Sequence, residues 1–325
     1  MKKVFLLLFV ALIVSCNSKK EQEVVRLEGV VFGTTYHITC LTDRPNTFQK
    51  SIDSLFDLMN ASLSTYIPTS AISKINKGDS TVVVDAYFIE VFQKSQRVHR
   101  ETNGFFDPTV GSLVNSWGFG PEKMKEALDS VVVLKMMQSV GLDKVSLANG
   151  HVKKQHPDVY LDFNSIAKGF GVDVVGRFLE RKNSRNYLVE IGGEIRARGV
   201  NVKGKNWRVA IENPNIDGTQ SFYDTVELTN ESMATSGNYR KFRIGDTGQK
   251  YVHTVNPKTG FATESNLLSA SVIAQADCAD VDAYATAFMA MGLKGTKAFL
   301  KTHPELKVVL IYSDDNGDIQ EFKNF

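Results

Sequence analysis

Apolar and polar positions change period several times along the chain, and the changes mark its elements. Arg26 to Leu41 alternates and is rich in β-branched residues, which predicts two short strands joined at Gly33. From Asn46 to Met59 the apolar positions are Phe48, Ile52, Leu55, Phe56 and Met59, a helical spacing. Val82 to Val98 repeats it, with Phe88, Val91, Phe92 and Val98 turned inward. Ser130 to Val140 predicts a third helix, ended by Gly141. Val152 to Phe163 has a strand pattern and Ile166 to Lys182 a helical one. Tyr187–Ile191, Glu194–Val200 and Trp207–Glu212 follow as consecutive strands with Gly or Asn turns, then Asp224–Leu228 and Lys241–Ile244. Cys278 to Met291 is a strongly apolar helix and Lys294 to Lys301 another. Lys307–Tyr312 and Ile319–Phe322 form a closing hairpin around Asp315-Asn316-Gly317. Hairpin-linked strands with helices between the blocks predict an α+β fold, largely antiparallel sheets with packed helices. No linker interrupts residues 24–325, so one compact unit is expected there.

The first residues belong to a different device. Lys2 and Lys3 precede an apolar run from Val4 to Val14, too short for the ~20 residues that span a bilayer. Ser15 before Cys16 is similar to a bacterial lipoprotein cleavage site, the alternative being an ordinary signal peptide with an incidental cysteine. The expected divisions are a signal peptide over 1–15, a lipidated tether over 16–23 and the folded domain over 24–325. Cys16 would carry the lipid; each buried acyl CH₂ contributes ~0.8 kcal/mol, so two or three chains anchor stably. The expected location is extracytoplasmic, on the periplasmic side of a bacterial membrane.

Of the 325 residues, 42% are hydrophobic and 23% charged, which excludes a disordered or collagen-like chain. Without Lys2 and Lys3, 36 basic residues balance 36 acidic ones. No basic stripe remains for a phosphate backbone, so no nucleic-acid partner is expected. Cys40 and Cys278 are the only other cysteines, which excludes a cysteine zinc site or a disulfide scaffold. They read as buried apolar residues, with a single disulfide as the alternative.

Neither GxGxxG nor GxxxxGK[ST] occurs, so a nucleotide would be bound without those devices. Six polar, Gly-rich segments stand beside apolar elements instead. The first runs through Phe32-Gly33-Thr34-Thr35-Tyr36, Ser62–Tyr66, Gly104-Phe105-Phe106-Asp107-Pro108 and Trp117–Pro121. Aromatics beside Gly let a flat ring lie against the backbone, or simply make core and turn, with Asp107 a turn residue or cap. In Leu161-Asp162-Phe163-Asn164-Ser165-Ile166-Ala167-Lys168-Gly169, a strand ends in Asp and a helix begins with Lys. That suits an anion, unless Asp162 or Asn164 merely caps the helix. Glu190-Ile191-Gly192-Gly193-Glu194 admits a ligand close to the backbone or makes a tight turn. Ala234–Arg240 sets small donors before Arg240, as a phosphate cradle would. His253, in His253-Thr254-Val255-Asn256-Pro257, has the unperturbed pKa of ~6.5 that suits a general base, or is a structural histidine. Asp282 and Thr286 stand at i and i+4 on an apolar helix, where a carboxylate is costly unless paired or bound to a cation such as Mg²⁺.

Together the segments GTTY, LSTY, FDPTVG…WGFGP, LDFNSIAKG, EIGGE, ATSGNYR, HTVNPKTG and DAYATA resemble the ApbE family over about residues 30–292. The resemblance implies a T-fold-related, lipid-anchored FAD:protein FMN transferase, Mg²⁺-dependent, that links FMN to a Ser or Thr hydroxyl and releases AMP. The acceptor implied is a flavoprotein domain of a membrane redox complex of the Nqr or Rnf kind. The metal ligands implied are the Ser165 carbonyl and the Asp282 and Thr286 side chains. The FAD contacts implied are Phe32, Tyr66, Phe105, Phe106, Asp107, Asp162, Lys168 and Val255, with Arg240 on the phosphates and His253 as base. Lys168 stands where some members carry Glu, and Ala285 where some carry Asp. Two other readings share the site: an FAD pyrophosphatase giving FMN and AMP, and a non-catalytic, lipid-anchored flavin-binding protein.

Overall fold

The computed structural model describes residues 22–43, 48–121, 128–213, 222–238, 242–244, 250–262 and 265–325. Cys16, the signal segment and Arg240 lie outside the described residues. Strands β1 (Glu23–Val31) and β2 (Thr34–Thr42) form a hairpin whose two-residue turn is Phe32-Gly33, as the pattern predicts. Helices α1 (Phe48–Leu63), α2 (Ala71–Asn76) and α3 (Ala86–Glu101) follow. The side chains of Ser70 and Asp85 begin α2 and α3 by accepting from the N–H groups of Ser73 and Phe88. Next come α4 (Gly111–Ser116), α5 (Ser130–Met137) and the small hairpin β3 (Val145–Ala148) with β4 (His151–Lys154).

The expected strand over 152–163 is largely absent. After Lys154 the chain turns, and Tyr160 makes only an isolated parallel bridge to Val110. The apolar residues there, Val159, Leu161 and Phe163, are buried as a loop. Helix α6 (Ala167–Arg181) then leads into β5 (Asn186–Ile191) and β6 (Glu194–Arg198). A second hairpin joins β7 (Trp207–Glu212) to β8 (Phe222–Leu228). β9 (Ser232–Gly237), β10 (Phe242–Ile244), β11 (Lys250–Val252) and β12 (Leu267–Ala274) precede α7 (Cys278–Leu300). β13 (Lys307–Ser313) and β14 (Ile319–Lys323) close the chain as the expected hairpin. The two helices expected at 278–291 and 294–301 are the halves of α7, broken at Gly292, whose φ of 70° is left-handed.

One antiparallel sheet orders the rest: β1-β2-β5-β6-β9-β12-β13-β14. Helices α6 and α7 cover one face, with α1 and α3 packed on them. The β7–β8 hairpin covers part of the other through Trp207, Val209, Ile211, Val226 and Leu228, against Ile195, Met233, Ile273 and Ile311. This is the α+β architecture expected. Cys40 and Cys278 are both buried free thiols, so the pair is not bonded.

Candidate functional site

A cavity of about 820 Å³ opens where the start of α6, the side of α7 and the end of β9 converge. Most of its walls come from segments the sequence singles out. The turn between β1 and β2 supplies Phe32 and Gly33. Both residues have positive φ, 51° and 75°, the backbone of a type I′ turn. A bulky residue held there costs about 1–3 kcal/mol, and such strain gathers at functional sites. The Phe32 ring packs edge-on to Phe56 at 5.6 Å and covers Gly171, where a Cβ would come within 2.8 Å of the ring.

The loop after α3 supplies Phe105, Phe106 and Asp107. Phe106 is only 1% exposed and forms floor rather than lip. Phe105 is half-buried, with the Lys258 ammonium 5.8 Å from its ring centre. Asp107 is spent on structure: its Oδ1 accepts from the N–H and hydroxyl of Thr109 at 2.8 and 2.6 Å, and its Oδ2 from Leu142 N–H at 3.2 Å. Tyr66, 61% exposed, stands at the entrance.

Asp162, Ser165 and Lys168 line the cavity from the loop into α6. Asp162 is not the helix cap: its Oδ1 accepts from Asn164 N–H at 2.9 Å, making a turn ahead of the helix, whose cap position is Ile166. Burial pushes the Asp162 carboxyl up to about 6, against the pull of that N–H. Lys168 points to Glu194 on β6, Nζ to Oε1 at 2.5 Å. Burial pulls its ammonium down, but Glu194 and Asp282 outweigh burial and hold it above its usual range. Burial raises the Glu194 carboxyl above its usual range, the Lys168 ammonium beside it pulls the other way, and the Asp282 charge adds to the rise.

Asp282 and Thr286 enter from α7, one turn apart and on the same cavity. Asp282 Oδ2 accepts from Gly169 N–H at 3.0 Å, which ties α7 to the first turn of α6. Its carboxyl is raised by burial, and Lys168 and Gly169 N–H offset that only in part. Thr286 Oγ1 shares a hydrogen bond of 3.3 Å with Ser236 Oγ on β9. The turn Gly192-Gly193 between β5 and β6 brings Gly192 and Glu194 to the wall, so the segment is the tight turn, one of its two readings. His253 and Val255 follow directly on β11, and Trp117 Nε1–H donates to Gly260 O at 2.9 Å, which fixes their loop.

Twelve predicted site residues thus share one cavity: Phe32, Tyr66, Phe105, Phe106, Asp107, Asp162, Ser165, Lys168, His253, Val255, Asp282 and Thr286. Sequence reasoning did not single out Asn60 near the end of α1, gave Met59 only as a core position of that helix, and did not find Glu194 as the partner of Lys168. Glu194 carried one signal, a carboxylate amid buried strand residues after two glycines.

The donors fit a hard cation. Ser165, Asp282 and Thr286 bring oxygen atoms to the cavity, and the buried, incompletely compensated Asp282 favours a positive partner. Among the described residues no cluster of three His, Cys, Asp or Glu could hold a metal. Mg²⁺ commonly completes its shell with water and phosphate.

The fold and cleft define a class: helix-backed antiparallel α+β proteins with a cavity of aromatic rings and oxygen donors. The chain belongs to the ApbE family, whose profile matches residues 32–310. It is 38% identical over 313 residues to the FAD:protein FMN transferase of Haemophilus influenzae, covering 92% of this chain and 89% of that one. With the enzyme of the same name from Vibrio cholerae it shares 34% over 320 residues, 96% and 95% of the two chains. Its fold matches the flavin transferase ApbE from Vibrio cholerae at a TM-score of 0.82 and 33% identity, over 93% and 97% of the chains. The apo flavinyl transferase ApbE of Pseudomonas stutzeri matches at 0.83 and 26%, over 94% and 95%.

Proposed function

We propose that this chain transfers FMN from FAD to a Ser or Thr hydroxyl of an acceptor flavoprotein domain, releasing AMP. The observation that carries the reading is the convergence of Asp282, Thr286 and the Ser165–Lys168 turn on a cavity also walled by aromatic rings. The names carried by relatives at 34–38% identity over nearly the whole chain support it.

The isoalloxazine ring would lie among Phe32, Tyr66 and Phe105, and the diphosphate near Lys168 and Arg240. Ser165, Asp282 and Thr286 would hold Mg²⁺, which when bound neutralises charge on the diphosphate oxygens. The acceptor oxygen attacks the FMN-side phosphorus, the bond from that phosphorus to the bridging oxygen breaks, and AMP leaves with that oxygen. His253 takes the hydroxyl proton and Lys168 meets the negative charge that builds as the bridge opens. Val255 packs with Leu113, Trp117 and Val133 below the cavity wall, while Asp107 and Asp162 shape the loops that line the pocket.

In this reading the chain is secreted and lipid-anchored through Cys16, facing an acceptor domain of a membrane redox complex of the Nqr or Rnf kind. The test is incubation with FAD and Mg²⁺, with and without such an acceptor domain. Covalent FMN on the acceptor by mass spectrometry, with matching AMP, is the expected result. Free FMN and AMP in both samples would make the protein an FAD pyrophosphatase, and tight FAD binding without AMP a binding protein.

A further inference from the structure

Glu194 holds a position that pairing with Lys168 does not explain in full. The residue is 2% exposed and lines the cavity. Its Oε1 is taken by the Lys168 ammonium at 2.5 Å, while Oε2 is buried and makes no hydrogen bond within the protein. A carboxylate paired with an ammonium has two acceptor oxygens, and a buried acceptor left empty is costly. The strand fixes this arrangement: Glu194 opens β6 directly after the two-residue turn, and Arg196, two positions on, is locked to Asp173 and Asp277 at 2.7 Å each. The side chain is therefore held with one oxygen satisfied and the other reserved.

We propose that Glu194 is a ligand-contacting residue of the cleft, whose Oε1 fixes Lys168 and whose Oε2 accepts a hydrogen bond from an O–H donor brought in by the ligand. This deepens the function proposed above and rests on it. Two sources supply such a donor: a water carried by the bound cation, or a hydroxyl of the flavin's sugar-alcohol chain. Glu194→Gln reads the difference. Lys168 has donors only, so the glutamine carbonyl must face it, and the amide NH₂ falls where Oε2 was. An acceptor becomes a donor, with little change of shape.

The experiment titrates the full folded domain, wild type and Glu194→Gln, in two arms. Mn²⁺ alone is followed by calorimetry, and FAD in EDTA by quenching of flavin fluorescence. A charge-assisted hydrogen bond lost in this way weakens binding roughly tenfold. Loss in the Mn²⁺ arm assigns the donor to cation-bound water, and loss in the FAD arm to the ligand hydroxyl. Thermal unfolding is recorded in parallel, because a purely structural ion pair would move the melting temperature and neither affinity. Glu194→Asp, which keeps the charge but withdraws it by one methylene, gives the same reading should the glutamine variant not fold. Both affinities within twofold of wild type would overturn the inference and leave the proposed function standing. Wild-type protein that binds neither Mn²⁺ nor FAD would overturn both.

Discussion

The carboxylate of Asp282 and the backbone N–H of Gly169 meet at 3.0 Å, so the proposed metal ligand on α7 also caps the first turn of α6. A helix start carries partial positive charge, and here a protein carboxylate occupies it. Because an asparagine carbonyl can accept the same hydrogen bond, Asp282→Asn should change chemistry more than folding. FMN transfer at fixed Mg²⁺ is expected to fall at least a hundredfold, while the melting temperature shifts by only a few degrees.

Gly169 tests the same junction from the other side. A Cβ there would lie 2.5 Å from the Cys278 carbonyl oxygen, a backbone atom that cannot swing away. Gly169→Ala must push α6 and α7 apart, at about 1–3 kcal/mol by the usual cost of overpacking. Urea unfolding should show that loss, and FMN transfer should fall further than stability alone explains, because Asp282 and Lys168 separate.

Asp162 gives a pH signature. Its folded pKa of about 6 lies above the ordinary 3.8, so the native state holds the proton more tightly than the unfolded chain. The stability it contributes is complete below the ordinary value and is lost as pH rises through about 6. Asp162→Asn, which keeps an acceptor for Asn164 N–H, should therefore be neutral at pH 4 and stabilising at pH 7.5, by about 1–2 kcal/mol. Thermal melts at both pH values check the sign.

Behind the cleft, Arg196 is buried between Asp173 and Asp277, and Asp173 also accepts from the N–H groups of Cys278 and Ala279 at 2.8 and 2.9 Å. Removing one member of a buried cluster leaves the others uncompensated. Arg196→Met is expected to cost about 3–5 kcal/mol in urea unfolding. Since Asp173 caps the start of α7, Mn²⁺ affinity at Asp282 should weaken as well.

The local parts of this architecture were legible in the sequence. A two-residue turn at Phe32-Gly33 and the run of inward residues on α1 each need only a dozen neighbouring positions to be recognised. β12 was not read, because it is buried along almost its whole length, with helices on one side and the β7–β8 hairpin on the other. A strand covered on both faces loses the alternation that betrays it. Over 152–163 the reverse held: the pattern suggested a strand, but the Asn76 side-chain amide claims the backbone of Leu161, its NH₂ donating to the carbonyl and its oxygen accepting from the N–H, at 2.8 Å each. The cavity's aromatic and oxygen-bearing residues were readable from their motifs. The Lys168–Glu194 pair was not, since 26 positions separate its members and only the fold brings them together.

The sheet is laid down almost in chain order, each new strand joining near the last, so most of it can form while the chain is still being made. The cleft cannot. Phe32 waits for Gly171, Lys168 waits for Glu194, and Gly169 waits for a carboxylate more than a hundred residues downstream. A chain cut short before residue 282 would lose most of α7, with β13 and β14, and with them the carboxylate and hydroxyl that the cleft takes from that helix. The final assembly of this protein is therefore also the moment at which it becomes competent.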